Sequence, residues 1–184
     1  MSRADATKAR ILQAATEEFA TYGIAGARVD RIAKSAAANK NLIYIYFCSK
    51  DQLFDAVFDS RVTEGLDSVP FTADDLPEYA GRVFDYCQAH PEVIRLSTWH
   101  RLERDQSAAA TSTTHDARVE ALAAVQETSD IGTGFAPAAL LTLVMSIALA
   151  WSPSNVAGIS VAESDDATAE DRRRAIVEAV RRLL

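Results

Sequence analysis

Apolar residues recur at helical spacing along nearly the whole chain, and no run alternates with period two, so the pattern predicts an all-α protein of about nine helices. From Thr7 to Tyr22 the apolar face is Ile11, Ala15, Phe19 and Tyr22, and Gly23 follows as a stop. Val29 to Ala36 reads as a short helix with Ile32 and Ala33 inward. Asn39 caps a helix through Phe47, and Ser49 caps another carrying Leu53, Phe54, Val57, Phe58 and Val62. Asp74 to His90 sets Leu76, Ala80, Val83 and Cys87 in register. Pro91 opens the next helix, through Ile94, Trp99 and Leu102, and Ser107 to Thr114 reads as a loose connection. Helices over Asp116–Glu127, Ala138–Trp151 and Thr168–Leu184 complete the chain, with a loop over Ser152–Asp166 before the last. That last helix places Ile176, Val180, Leu183 and Leu184 on one face.

One segment needs a length argument. Ile131 to Ala162 carries no charged residue, but its apolar heart, Ala138 to Trp151, is 14 residues long. As a helix that is roughly 21 Å, against a hydrocarbon core of ~30 Å. The segment therefore reads as a buried interface helix in a cytoplasmic protein, without membrane contact. The N-terminal residues lack an apolar signal region, which fits the same compartment.

Charge changes the picture more. The net charge is −7, yet residues 1–50 hold eight Lys/Arg against four Asp/Glu, whereas residues 51–184 hold eleven against twenty-two. A basic head on an acidic body suits a protein whose head meets phosphates while the body stays clear of them. A merely solvated surface would show the same asymmetry. Cys48 and Cys87 are far apart and read as reduced thiols; His90, His100 and His115 have no metal-ligand spacing. No cofactor is expected. With 7 glycines, and neither a phosphate-cradling loop nor a nucleophile elbow, the chain does not read as an enzyme.

The informative stretch is Val29 to Lys50. Two short helices separated by Ala37-Ala38-Asn39 have the size and turn of a helix-turn-helix. In the second helix Ile43 and Phe47 share one face and would pack inward. Lys40, Asn41, Leu42, Tyr44, Ile45 and Tyr46 are left for the exposed side. Two tyrosines, an isoleucine and a leucine are a poor solvent surface but a workable DNA surface: hydroxyls reach phosphates and apolar atoms reach thymine methyls.

The run Ile32-Ala33-Lys34-Ser35-Ala36-Ala37-Ala38-Asn39-Lys40, then Ile43-Tyr44-Ile45-Tyr46-Phe47 and Ser49-Lys50-Asp51-Gln52-Leu53, resembles the signature of the tetracycline-repressor (TetR) family. The likeness extends back through Ile11, Ala15, Phe19 and Gly23, about the first third of the chain. It implies that Lys40, Tyr44 and Tyr46 contact DNA and that Lys50, at the start of the fourth helix, meets a phosphate. The departures are specific. Ala37 stands where a turn glycine is usual, and Asn41, Leu42 and Ile45 replace the family's common residues on the DNA side. Arg28 stands at a position where a capping Ser or Thr is frequent, losing the cap but offering a phosphate contact.

The resemblance further implies a helix-turn-helix domain over residues 1–50 and a helical effector-binding and dimerisation domain over 51–184. It implies a ligand-responsive repressor that binds a palindromic operator in double-stranded DNA as a homodimer. An activator, or a helical interaction protein without an effector, remains the alternative. The small residues Ala138, Thr142 and Ser146 recur every fourth position and permit close helix approach. With Leu141, Met145, Leu149, Ile176 and Val180 they form the expected dimer seam; the alternative is that the same helix is central to the protomer's own core. Tyr79, Phe84, Cys87, Trp99, Leu102 and Met145 are the expected lining for a small apolar or aromatic effector, although such spacing also suits plain core.

Overall fold

The computed structural model describes residues 3–104, 113–152, 155 and 167–184. Among these residues every regular element is helical. In chain order they are α1 (Arg3–Gly26), α2 (Val29–Ser35), α3 (Lys40–Phe47), α4 (Lys50–Phe58), a π-helical turn (Asp59–Thr63), α5 (Glu64–Asp67), α6 (Leu76–Ala89), α7 (Pro91–Glu103), α8 (Thr113–Thr128), α9 (Pro137–Ala148) and α10 (Ala169–Leu183). The expected connection around 107–112 and the loop over 156–166 lie outside the described residues. No helix described is long and apolar enough to cross a membrane.

The chain forms two compact units that do not follow chain order. One comprises the chain as far as Leu66 together with α7; the other takes up Asp67 to His90 and then the helices from Thr113 onward.

The first unit has Ile11, Phe19, Ile32, Ile43, Leu53, Phe54 and Leu96 completely or almost completely buried, with the Phe19 and Phe54 rings edge-on at 5.2 Å. Gly23 breaks α1 as its position suggested, with φ 71° and ψ −178°, and one further turn follows it. The break orphans backbone groups on both sides, and α7 satisfies them. Arg95 Nε (2.6 Å) and Trp99 Nε1 (3.4 Å) donate to the Ala20 carbonyl, while the Ile24 and Ala25 N–H groups donate to the Glu103 carboxylate at 3.0 and 2.7 Å. Arg95, Trp99 and Glu103 are four residues apart, so the face α7 turns to α1 is a polar ladder. Leu102, expected inward with Ile94 and Trp99, is instead 70% exposed because it lies off that ladder. Tyr22, expected on the inner face of α1, is likewise exposed, with the Arg31 guanidinium 4.2 Å from its ring centre.

The second unit is built on α6, α9 and α10, whose Tyr79, Val83, Leu140, Leu141, Val144, Ile176 and Val180 share one core with Leu122 of α8. Asp75 caps α6 by accepting from Glu78 N–H, and Thr168 and Asp171 form a reciprocal capping box on α10. Arg173 ties α10 to α6, donating to Asp85 at 2.7 Å and to Glu78 at 2.5 Å.

Candidate nucleic-acid interface

The site begins with a charge inside a core. Glu18 lies seven residues after Ile11, within the apolar stripe of α1, and is only 9% exposed. Its carboxylate accepts from Arg28 N–H and from Arg31 Nε, each at 2.8 Å. Arg28 caps α2 without any side-chain hydrogen bond, so the expected loss of a cap is real. Glu18 offsets it from the neighbouring helix, placing a negative charge where the start of α2 carries a partial positive one. At the other end, Arg10 Nε donates to the Ala36 carbonyl at 3.1 Å. Both ends of α2 are thus fastened to α1.

The turn that follows is a Schellman motif: Ala38 N–H bonds the Ala33 carbonyl and Ala37 N–H the Lys34 carbonyl. Ala37 sits at φ 47°, so this turn requires the left-handed conformation without the glycine that suits it. An alanine there is strained by about 1–2 kcal/mol, and a glycine loses about 0.4–1 kcal/mol more chain entropy on folding. Ala37→Gly should therefore stabilise the protein by roughly 0.5–1 kcal/mol, visible as a small rise in melting temperature. A lower melting temperature would contradict the strain.

Asn39 caps α3 by accepting from Asn41 N–H at 2.9 Å, and Ser49 caps α4 by accepting from Gln52 N–H at 3.1 Å. Between those caps, Ile43 and Phe47 are buried. Lys40, Asn41, Tyr44 and Ile45 are exposed, Ile45 by 69%, while Leu42 and Tyr46 are half-buried. A solvated, largely uncharged face results, with an amide, a phenol and a branched aliphatic side by side. Such a face can hydrogen-bond base edges and cover thymine methyls.

Two basic residues are more engaged than their spacing suggested. Lys50 Nζ lies 3.4 Å from both the Ala25 and Ala27 carbonyls, holding the segment between α1 and α2 against α4. Lys40 reaches back to α2, where its ammonium pairs with Asp30 at 2.9 Å. The hydrogen bond that Lys40 donates to Asp30, then the charge of Asp30, raise the Lys40 pKa above the usual lysine value. Arg104 clamps the start of α4, donating to the Asp51 carbonyl at 3.0 Å and to Asp55 at 2.7 Å. Glu18, Glu103 and Arg104 were not identified from sequence. Glu18 had a legible signal, a charge at a core position; the others act across elements far apart in the chain and had none.

The expected effector lining is divided between the two units. Tyr79, Phe84, Cys87 and Met145 belong to the second unit, where Tyr79 and Phe84 are buried and the Tyr79 hydroxyl donates to Met145 Sδ at 3.6 Å. Trp99 and Leu102 belong to the first. Burial pushes the Cys87 thiol up to about 11, so it is protonated and inert at neutral pH. The second unit also encloses a cation that sequence did not single out: the Arg118 guanidinium stands 5.7 Å from the Tyr79 ring centre and 5.9 Å from that of Phe71. Burial raises the Tyr79 pKa, opposed by Arg118.

The expected dimer residues divide in two. Leu141, Ile176 and Val180 are instead in the protomer's own core, because α9 and α10 pack against α6 with their apolar faces. Ala138, Thr142 and Ser146 are exposed, Met145 and Leu149 half-buried. The Thr142 and Ser146 hydroxyls donate to Ala138 and Thr142 carbonyls of α9 itself, each at 2.8 Å, so the exposed face has little polar demand left. Among the described residues no group of His, Cys, Asp and Glu could hold a metal ion.

Residues 11–57 match the family model of bacterial regulatory proteins, tetR family, and residues 75–182 match that of the tetracyclin repressor-like C-terminal domain. The chain is 50% identical over 99 residues to the HTH-type transcriptional repressor SCO4008 of Streptomyces coelicolor, covering 54% of this chain and 52% of that one. It is 32% identical over 109 residues to the HTH-type transcriptional repressor NicS of Pseudomonas putida, covering 55% and 51%. These matches span about half the length of either relative. The solved structure of SCO4942 from Streptomyces coelicolor superposes with a TM-score of 0.85 at 37% identity, covering 96% of this chain and 97% of that one.

Proposed function

The chain belongs to the TetR family of bacterial regulatory proteins, and from that membership we propose that it is a homodimeric repressor that binds a palindromic operator and releases it when a small molecule binds. The observation carrying the DNA-binding part is the exposed, capped face of α3, with Asn41, Tyr44 and Ile45 outward and Ile43 and Phe47 inward. In this reading α3 enters the major groove, and Asn41 and Ile45 read bases. Tyr44, Tyr46, Lys40 and Arg28 meet the backbone. Lys50 acts chiefly by fastening the segment before α2, with capacity left for a phosphate.

The dimer seam in this proposal is the exposed face of α9, at Ala138, Thr142 and Ser146, with the small outward residues Ala175 and Ala179 of α10. The effector site lies in the second unit near Tyr79, Phe84 and Met145. Small apolar or aromatic molecules suit that lining.

One binding-site selection tests the reader. Asn41→Ala should change the preferred base at one position per half-site, by ~1–3 kcal/mol, and leave affinity for unrelated DNA nearly unaltered. A variant that keeps the parental preference would remove α3 as the reader. The selected duplex then serves for the effector: compounds that raise the melting temperature should also release it. Hits that all leave the complex intact would remove the sensing part alone.

A further inference from the structure

We propose that Asp30 is a competitor for the DNA backbone built into the head: its carboxylate engages Lys40, the first residue of the recognition helix, and so limits how tightly the head binds DNA of any sequence. The inference rests on the DNA-binding reading above.

The geometry is direct. Lys40 Nζ lies 2.9 Å from one Asp30 carboxylate oxygen and 3.1 Å from the other, so the ammonium straddles the carboxylate much as it would straddle a phosphate. The side chains are 76% and 45% exposed, Asp30 the more so. Lys40 and Tyr44 stand one turn apart on the same face of α3, and both are exposed, as Asn41 is.

The other engaged cations of the head differ. Arg31 meets Glu18 at the seam of α1 and α2, where the acid is buried and the pair belongs to the scaffold. Arg10 and Lys50 donate to backbone carbonyls, which neutralise no charge. Asp30 alone among these partners is an exposed acid that cancels a full positive charge on the recognition helix without filling the core. Its raised Lys40 pKa fits the same contact.

An exposed pair is weak in water, so Asp30 and a phosphate compete for the one ammonium. The competition withholds Lys40 from every DNA sequence alike. The device therefore restrains non-specific binding, the large electrostatic background from which an operator must be distinguished.

The rival role for Asp30 is structural. It lies in the first turn of α2, where any acid favours the helix dipole. That role predicts a small loss of stability and no gain in DNA affinity.

The test titrates wild type, Asp30→Asn, Lys40→Gln and the double variant against a fluorescent duplex of random sequence over a salt series, with a thermal melt of each. Asp30→Asn should bind several-fold more tightly, and its slope of log affinity against log salt should steepen by about 0.9, the signature of one more phosphate contact. Most of that gain should vanish when Lys40 is already Gln, since the competition needs both partners. Unchanged or weaker binding by Asp30→Asn overturns the proposal. So does a gain of equal size in the Lys40→Gln background, which would mark a general effect of charge. If wild type and Asp30→Asn bind no duplex even at low salt, the DNA-binding reading falls, and this inference with it. If binding persists but ignores Asp30, only the inference falls.

Discussion

Gly23→Ala should cost the protein about 3 kcal/mol, a fall in melting temperature of about 6–12 °C. Two independent causes converge on this one position. The backbone there has φ 71° with ψ −178°, a region open in practice only to glycine, and forcing another residue into it costs about 1–3 kcal/mol. A Cβ at Gly23 would also stand 2.6 Å from Glu103 Oε1 and 3.0 Å from the Trp99 ring. Glu103 could move, but that carboxylate accepts the Ile24 and Ala25 N–H groups, so moving it strands the donors it serves. DNA binding should weaken as well, since Lys50 bonds carbonyls in the segment just after this break. A calorimetric melt of Gly23→Ala that coincides with the wild type would overturn this account.

The second large effect concerns assembly. Ser146 is exposed on α9 and, among the described residues, its hydroxyl donates to the helix's own Thr142 carbonyl, so Ser146→Arg should leave the protomer folded. In the proposed seam, two guanidinium groups would meet near a two-fold axis between small residues that cannot solvate them. Burying such unpaired charge costs about 3–5 kcal/mol, which corresponds to roughly 10²–10⁴-fold in dimer affinity. Sedimentation should show a monomer, circular dichroism should show undiminished helix, and operator affinity should collapse because half-sites are then bound singly. Ser146→Ala should remain a dimer. An Arg variant that sediments as the wild type does would place the seam elsewhere.

Much of the head was legible because its elements are specified locally. The spacing of Ile43 and Phe47 chose the buried side of α3, and Asn39 and Ser49 cap the helices they were expected to cap. Ala37 was legible as a problem: alanine in a glycine's place takes the positive φ that the turn demands. Glu18 was legible in principle, since a carboxylate seven residues from Ile11 on the same face calls for a partner. Its partners, the Arg28 amide and Arg31, lie on the next helix.

The sequence by itself determined the helices, the caps at Asn39 and Ser49 and which side of the recognition helix turns outward, because periodicity, caps and turn residues act over a few neighbours. It did not determine the company those helices keep. α7 follows α6 in the chain but packs in the unit that holds α1 and α4, where Arg95, Glu103 and Arg104, residues that a hydrophobic pattern passes over, bond those helices. Leu141, Ile176 and Val180 read as dimer-seam residues, and packing against α6 made them core instead. A stripe of apolar residues states that a face must be covered, at a free-energy gain nearly proportional to area. Which element covers it depends on contacts between residues scores of positions apart, and those exist only once the chain has folded.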